Sequence, residues 1–302
     1  MGSESKSPDL RSNPERDAVE TRRPPRPSAG LACHTAHSPW PGGSLRVVPA
    51  AARKSHTQPV RRPRALPHLG VPVGAEIRGR FLRRYKRFFA DIEQPDGRTL
   101  TVHCPNPGSM RGLTTPGSAV RCSTSDAPHR KLRHTLEMIR CGRIWVGLHT
   151  LRANRVAARL LRAGALPAFR GYTEVRAEVA VEEGTRLDFS LHRPGQSNPA
   201  FVEVKSVTLA EGRHARFPDS VTVRGRKHLD TLTRLRRQGS RTALLFVVQR
   251  ADCDSVEPAD DIDPAYGEAL RRAAGAGVEI WAVGTRVTAR RIAVERQLPV
   301  RL

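Results

Sequence analysis

The segment Thr242-Ala-Leu-Leu-Phe-Val-Val248 carries no charge and shows no alternation of polar with apolar residues. A strand with one solvated face would alternate. A continuous apolar run of strand length, bounded by Gly239-Ser240-Arg241 and Gln249, instead predicts a central strand covered on both faces. Such a strand needs neighbours at its sides and helices above and below. The flanking sequence supplies both. Leu151–Gly164 sets Ala153, Val156, Ala157, Leu160 and Leu161 on one side of a helix that ends at Gly164. Strands are expected around 174–181, 186–192 and 200–208. A second helix runs over Arg224–Gln238 with Leu229, Leu232 and Leu235 inward and Gly239 as its C-cap. Asp263-Pro264 opens a third with N-cap and N1 chemistry, and Val278–Val283 reads as a last strand. Helix, three strands, helix, strand predicts an α/β sandwich around a mixed sheet over residues 147–302.

Upstream the pattern changes. From about residue 75 the chain reads as short strands: Arg84–Ile92 as one run, the turn Pro95-Asp96-Gly97, then Thr99–Cys104 as its return. Pro105-Asn106-Pro107-Gly108 breaks the chain, and further strands are expected at 118–124, 132–139 and 143–149. Short strands at this spacing predict a small β-barrel over 73–146, similar to an OB-fold. The fold class expected is therefore α+β, a small OB-like barrel followed by an α/β domain. Residues 1–72 differ again. The first 70 residues hold 12 Lys+Arg, 5 Asp+Glu and 11 of the 24 Pro, with no sustained apolar period, as expected of a disordered basic tail.

Charge limits the partner. With 52 Lys+Arg against 29 Asp+Glu the chain carries +23, of which +16 remains on residues 71–302. An excess of this size predicts a polyanionic partner, most simply nucleic acid. No run of 18 apolar residues is present, so no membrane span is expected. Five cysteines (33, 104, 122, 141, 253) without close pairs fit a reducing cytoplasm rather than a disulfide framework or a C-x-x-C zinc site. Within the barrel, Arg84, Tyr85, Lys86, Arg87, Arg130 and Lys131 are the expected nucleic-acid contacts, with Tyr85, Phe88 and Trp145 as possible stacking platforms.

The chemistry concentrates in one hairpin. Arg186-Leu-Asp-Phe-Ser190 is followed, after a Pro/Gly/Ser/Asn loop, by Phe201-Val-Glu-Val-Lys-Ser206. Residues two apart on a strand share a face, so Glu203 and Lys205 point together while Val202 and Val204 point into the core. Antiparallel pairing would set Asp188 almost opposite Glu203. Two close carboxylates are stable together mainly with a cation between them. Hard oxygen donors suit Mg²⁺ or Mn²⁺, which would lower the pKa of a bound water and stabilise charge on a phosphodiester, with Lys205 orienting the water. This is the Asp…Glu-x-Lys pattern of PD-(D/E)xK nucleases.

Several segments in order carry a broader resemblance: Arg84-Tyr-Lys-Arg-Phe88, His103-Cys-Pro-Asn-Pro-Gly-Ser-Met110, Asn154-Arg155, Arg186-Leu-Asp-Phe189, Phe201–Leu209, Phe217–Thr222, Arg224-Gly225 and Lys227-His228-Leu229. From about residue 77 onward the chain resembles the bacterial sugar fermentation stimulation protein A (SfsA) family. The resemblance implies an OB-like domain, a PD-(D/E)xK nuclease-like domain, and DNA binding linked to regulation of sugar-utilisation genes. It implies Asp188, Glu203 and Lys205 as a nuclease triad, with Asp188 and Glu203 holding the metal, and supports Arg224, Lys227 and His228 as phosphate or transition-state contacts. Two positions depart from its pattern: Pro107 stands where Thr is expected, and Val223 where Glu is expected. Two functions follow as expectations: a largely sequence-independent DNA-binding protein with a Mg²⁺-dependent nuclease site, or a DNA-binding regulator whose nuclease-like domain is catalytically silent.

Overall fold

A computed structural model describes residues 69–302 of the chain. Most of the tail expected over 1–72 thus lies outside the described residues. Its last part, Gly70–Pro72, is strand β1, paired antiparallel with the last strand of the large sheet.

The barrel is built from β2 (Ile77–Tyr85), β3 (Phe89–Glu93), β4 (Thr99–His103), β5 (Ala119–Thr124) and β6 (His134–Cys141), with β7 (Ile144–Gly147) hydrogen-bonded outside β6. Antiparallel pairing runs β4-β3-β2-β5-β6, and a parallel contact of His103 with Thr135 returns β4 to β6. Five strands therefore close on themselves, which removes free sheet edges. Phe81, Ile92, Val102, Leu136 and Ile139 fill the interior.

The single strand expected over Arg84–Ile92 is two. Lys86 (φ 45°) and Arg87 (φ 64°) both take the left-handed conformation and turn the chain between β2 and β3. The cause is Arg84, whose guanidinium donates to the carbonyls of Arg87 (2.9 Å), Asn106 (2.7 Å) and Gly108 (2.8 Å). Aromatic and β-branched content gives no sign of this, because two of the three carbonyls in the lock, those of Asn106 and Gly108, are distant in sequence.

The second part contains α1 (Thr150–Arg162), β8 (Glu174–Glu182), β9 (Thr185–His192), β10 (Ala200–Val207), β11 (Ala210–Glu211), β12 (His214–Phe217), α2 (Val223–Arg237), β13 (Thr242–Val248), β14 (Ser255–Pro258), α3 (Pro264–Gly275), β15 (Glu279–Val287) and β16 (Arg291–Leu298). The large sheet has the order β1-β16-β15-β13-β10-β9-β8. Strand β13 lies parallel to both β10 and β15, and all seven of its residues are buried. Its two faces feed two cores. Ala243, Leu245 and Val247 pack with Val156, Leu160 and Leu161 of α1. Leu244, Phe246 and Val248 pack with Leu229 and Leu232 of α2 and Leu270 of α3. The uncharged run is thus the layer shared by both cores. Strand β16 and the small sheet β11-β12-β14 were not expected. The small-sheet strands are two to four residues long, too short for a period, and β16 carries charge on an outer part of the sheet.

Capping fixes α2 beside the hairpin. Thr222 Oγ1 accepts from Gly225 N at 3.0 Å, and Asp263 Oδ1 accepts from Tyr266 N at 3.0 Å at the start of α3. Asp263 Oδ2 also accepts from Thr222 N at 2.8 Å, tying the two helix starts together.

The barrel is clasped to the second part near the hairpin. Ser109 Oγ donates to Asp219 O at 2.6 Å, Met110 N to Asp219 Oδ2 at 3.0 Å, and Thr150 Oγ1 to Pro105 O at 3.2 Å. Arg152 of α1 pairs with buried Glu137 of β6 at 2.7 Å. A Cβ built on Gly108 would meet the Asp219 carboxylate oxygens at 2.4 Å. Gly108→Ala must therefore push Asp219 away, and thermal unfolding should register a loss of about 1–3 kcal/mol, as for other overpacked sites. An unchanged melting temperature would show that the clasp yields without cost.

Candidate active site

The ladder of β9 with β10 (Ala200 with Leu191, Phe201 with Ser190, Val202 with Phe189) ends just before Asp188 and Glu203, and Val204 N then bonds the Asp188 carboxylate rather than a β9 carbonyl. Val202 and Val204 are buried against α1, so the alternate residues Glu203 and Lys205 look the other way. Helix α2 closes that side with His228, and α1 contributes Asn154 from the opposite direction.

Asp188 is held at both oxygens. Asn154 Nδ2 donates to Oδ1 at 2.7 Å, and Val204 N donates to Oδ2 at 2.8 Å. Burial, reinforced by the charge of Glu203, nevertheless pushes this carboxyl up to about 6. Glu203 is 3% exposed, and burial works to raise it too. Lys205 and His228 outweigh that burial and hold it below the usual carboxylate value. Lys205 Nζ donates to Glu203 Oε1 at 2.6 Å, and His228 Nδ1 contacts the same oxygen. Arg224 Nε meets His228 Nε2 at 3.4 Å, on the other side of the ring from Glu203. Glu203 Oε2 is buried and has no hydrogen-bond partner among the described residues.

These groups line a cleft of about 790 Å³ between barrel and sheet. Arg87, Asn106 and Pro107 reach it from the barrel, and Arg186, Arg216 and Arg224 from the second part. Arg216 is already paired with Glu211 and Asp261. Among the described residues the side chains of Arg87 and Arg186 make no ion pair.

The residues expected at the site are only partly brought together. Asp188, Glu203, Lys205, Arg224, His228 and Arg87 meet in the cleft. Arg84 does not present its guanidinium to a ligand, being occupied by backbone carbonyls. Tyr85 and Lys86 line a neighbouring hollow; Tyr85 donates to Asp91 Oδ1 at 3.2 Å and stacks on Phe89. Arg130 donates to Thr135 Oγ1 in the loop beyond β5, and neither it nor Lys131 borders the cleft. Lys227 is exposed on α2, on the side of Glu182 rather than the cleft. Of the stacking candidates, Phe88 is exposed beside His103, while Trp145 packs on the core. Pro107 borders the cleft and Val223 opens α2 with 69% exposure.

Asn154 and Glu178 are among the cleft residues to which the sequence alone assigns no role. Asn154 stood only in a resembling segment; helical spacing cannot reveal that its amide meets a carboxylate 34 positions away. Glu178 of β8 also lines the cleft. Among the described residues no group of three or more His, Cys, Asp or Glu is gathered closely enough to be a metal cage; Asp188 and Glu203 are a pair.

Comparison with known proteins agrees with this fold. The family described as "Sugar fermentation stimulation protein RE domain" matches residues 151–291, and "SfsA N-terminal OB domain" matches 82–148. A sugar fermentation stimulation protein homolog of Syntrophotalea carbinolica is 49% identical over 225 residues, covering 74% of this chain and 96% of the relative. The homolog of Pelobacter propionicus is 46% identical over 224 residues, with coverage of 74% and 96%. Among solved structures, that of Pyrococcus furiosus SfsA in complex with Ca²⁺ superposes with a TM-score of 0.69 at 27% identity, covering 75% of this chain and 96% of the other.

Proposed function

The chain belongs to the sugar fermentation stimulation protein (SfsA) family, and from that premise we propose that it is a DNA-binding protein whose cleft hydrolyses phosphodiester bonds with a divalent cation. The observation that carries the reading is Glu203. Its Oε2 is buried and unpartnered among the described residues, while Oε1 takes both Lys205 and His228. A buried polar atom without a partner is costly, and an ion supplies what it lacks. The donor set fits a hard cation: Asp188 and Glu203 would hold Mg²⁺ or Mn²⁺. The Pyrococcus furiosus relative, solved with Ca²⁺, supports a divalent ion of this type.

When bound, the cation would supply a water of lowered pKa and charge stabilisation at a phosphoryl oxygen. The chain's own groups do the rest. Asn154 and the Val204 amide orient Asp188. Lys205 Nζ, fixed 2.6 Å from Glu203 Oε1 at the cleft, would serve as the ammonium donor to an attacking water or a phosphate oxygen. His228 holds Glu203 from α2, so the carboxylate cannot rotate away. The alternative of a silent DNA-binding regulator accounts for the arginines of the cleft but gives no task to the two carboxylates set among them.

The test is cleavage of labelled single-stranded and duplex DNA and of RNA with Mg²⁺, Mn²⁺ or EDTA. Cleavage should require the cation and vanish in Lys205→Ala while binding persists. Activity that survives the substitution would belong to a contaminant.

Binding itself should be dominated by phosphates. Arg87→Ala with Arg186→Ala should reduce the slope of log affinity against log salt by about 1 to 2, near 0.9 for each duplex phosphate no longer neutralised. An unchanged slope would place the phosphate-binding groups elsewhere. Leu151 (58% exposed) and Val221 (66%) also line the cleft, an apolar rim that suits unstacked bases. A single-stranded oligonucleotide should therefore compete better than duplex of the same length, and equal competition would count against a role for the rim.

A further inference from the structure

We propose that the outer face of α1 is a phosphate track, along which a nucleic-acid strand seated in the cleft continues over Arg155, Arg159 and Arg162. The inference rests on the reading of the cleft as a nucleic-acid site and adds the path by which the strand leaves it. It starts from the way α1 lies on the large sheet. Ala153, Val156, Ala157, Leu160 and Leu161 are buried in the core beneath the helix. Steps of four and three keep Leu151, Arg155, Arg159 and Arg162 together on the opposite side, and all four are exposed. Thr150, Leu151 and Asn154 line the cleft, where Asn154 holds Asp188. The row therefore begins at the cleft and runs away from it. At 1.5 Å per residue it extends about 16 Å from Leu151 to Arg162, about five phosphate steps along one strand of a duplex. Past the helix end, a Cβ on Gly164 would meet Arg170 Cα and Cγ at 3.9 Å, so a further exposed arginine stands where the row stops.

The charge of the row is not offset. Arg155, Arg159 and Arg162 make no ion pair or hydrogen bond among the described residues. Exposed arginines elsewhere in the second part are tied to carboxylates: Arg176 to Glu174, Arg213 to Asp254, Arg271 to Asp260 and Arg286 to Glu295. Helices α2 and α3 set Asp230 and Glu268 among their arginines, whereas Thr150–Arg162 contains no acidic residue. The helix dipole favours cations in the last turn, which accounts for Arg159 and Arg162. It does not account for Arg155, near the middle of the helix, or for a helix without a single carboxylate. Like charges one turn apart destabilise a helix. A row of phosphates removes that repulsion, and arginine's planar fork matches a phosphate better than lysine's point charge does. The sequence shows the spacing of these arginines, but only the fold shows that the row starts at the cleft.

The experiment is fluorescence anisotropy of the full chain with labelled single strands of about 6 and about 20 nucleotides, the shorter being enough for one binding site, in EDTA and over a range of salt. Wild type is compared with Arg159→Gln/Arg162→Gln and with a control of equal charge, Arg236→Gln/Arg237→Gln, at the exposed end of α2 on the other side of the sheet. Glutamine keeps nearly the helix propensity of arginine, so both variants should fold. The α1 variant should bind the long strand about tenfold more weakly, with a salt slope lower by about 1.4, near 0.7 for each phosphate of a single strand no longer neutralised. It should bind the short strand within twofold of wild type, and the α2 control should bind both strands within twofold. If the α1 variant binds the long strand as wild type does, the track does not exist and the inference fails alone. If the α1 and α2 variants weaken the long strand equally, the effect is net charge and the inference fails. If short and long strands weaken equally, these arginines act on the cleft itself and there is no track beyond it. If wild type binds neither strand, the nucleic-acid reading of the cleft fails with it.

Discussion

Glu203→Gln should abolish cleavage and lower the stability of the protein by about 3 kcal/mol, the usual cost of removing one partner from a buried ion pair. The size follows from what the carboxylate neutralises. Lys205 has a side chain only 12% exposed, with Nζ 2.6 Å from Glu203 Oε1. Without the negative charge this ammonium is left desolvated beside the imidazole of His228. Gln accepts one hydrogen bond but cannot neutralise the charge. Urea unfolding at pH 7 measures the loss. The double variant Glu203→Gln with Lys205→Met separates the two effects. Removing both charges should recover much of the stability, because replacing a whole buried pair by apolar groups is often nearly neutral. It should recover none of the cleavage, which needs the carboxylate for the cation and the ammonium for the water. A single variant as stable as wild type, or a cleaving double variant, would refute the assignment.

How far this site was legible in the sequence depends on which interaction places each residue. Asp188, Glu203 and Lys205 were readable because a period of two and one hairpin are enough to gather them, although the ladder itself ends one step short, at Val202 and Phe189. The apolar run of β13 likewise announced a strand covered on both faces, and α1 on one side with α2 and α3 on the other provide the cover. Legibility ended where placement depends on contacts between elements distant in the chain. Arg84 reads as a phosphate contact in any basic, aromatic segment. Only the fold brings the carbonyls of residues 106 and 108 to its guanidinium. Lys227 and His228 are adjacent in sequence, but one helical step of about 100° puts His228 on Glu203 and Lys227 outside. Glu178 differs from Glu174 and Glu182 of the same strand in its backbone angle and in nothing the sequence records.

Adding Ca²⁺ should raise the melting temperature, and the rise should grow as the pH is increased from 5 to 7. The sign follows from Asp188. Burial lifts its folded pKa from 3.8 to about 6, so the metal-free native state binds this proton more tightly than the unfolded chain does. Its contribution to stability is present below the unfolded value and is lost as pH rises toward 6, by about 3 kcal/mol if the whole shift is realised. A cation competes with that proton for the same oxygens. Below pH 6 it must displace the proton, and its apparent affinity falls about tenfold for each pH unit. Above pH 6 the carboxylate is already ionised, and the cation relieves the repulsion from Glu203. At a Ca²⁺ concentration 100 times its dissociation constant the native state gains about 2.7 kcal/mol, a shift on the order of 5 to 10 °C for a chain of this size. Asp188→Asn should show neither the shift nor its pH dependence. A shift of equal size at pH 5 and pH 7 would place the ion at carboxylates of ordinary acidity on the surface, away from the cleft.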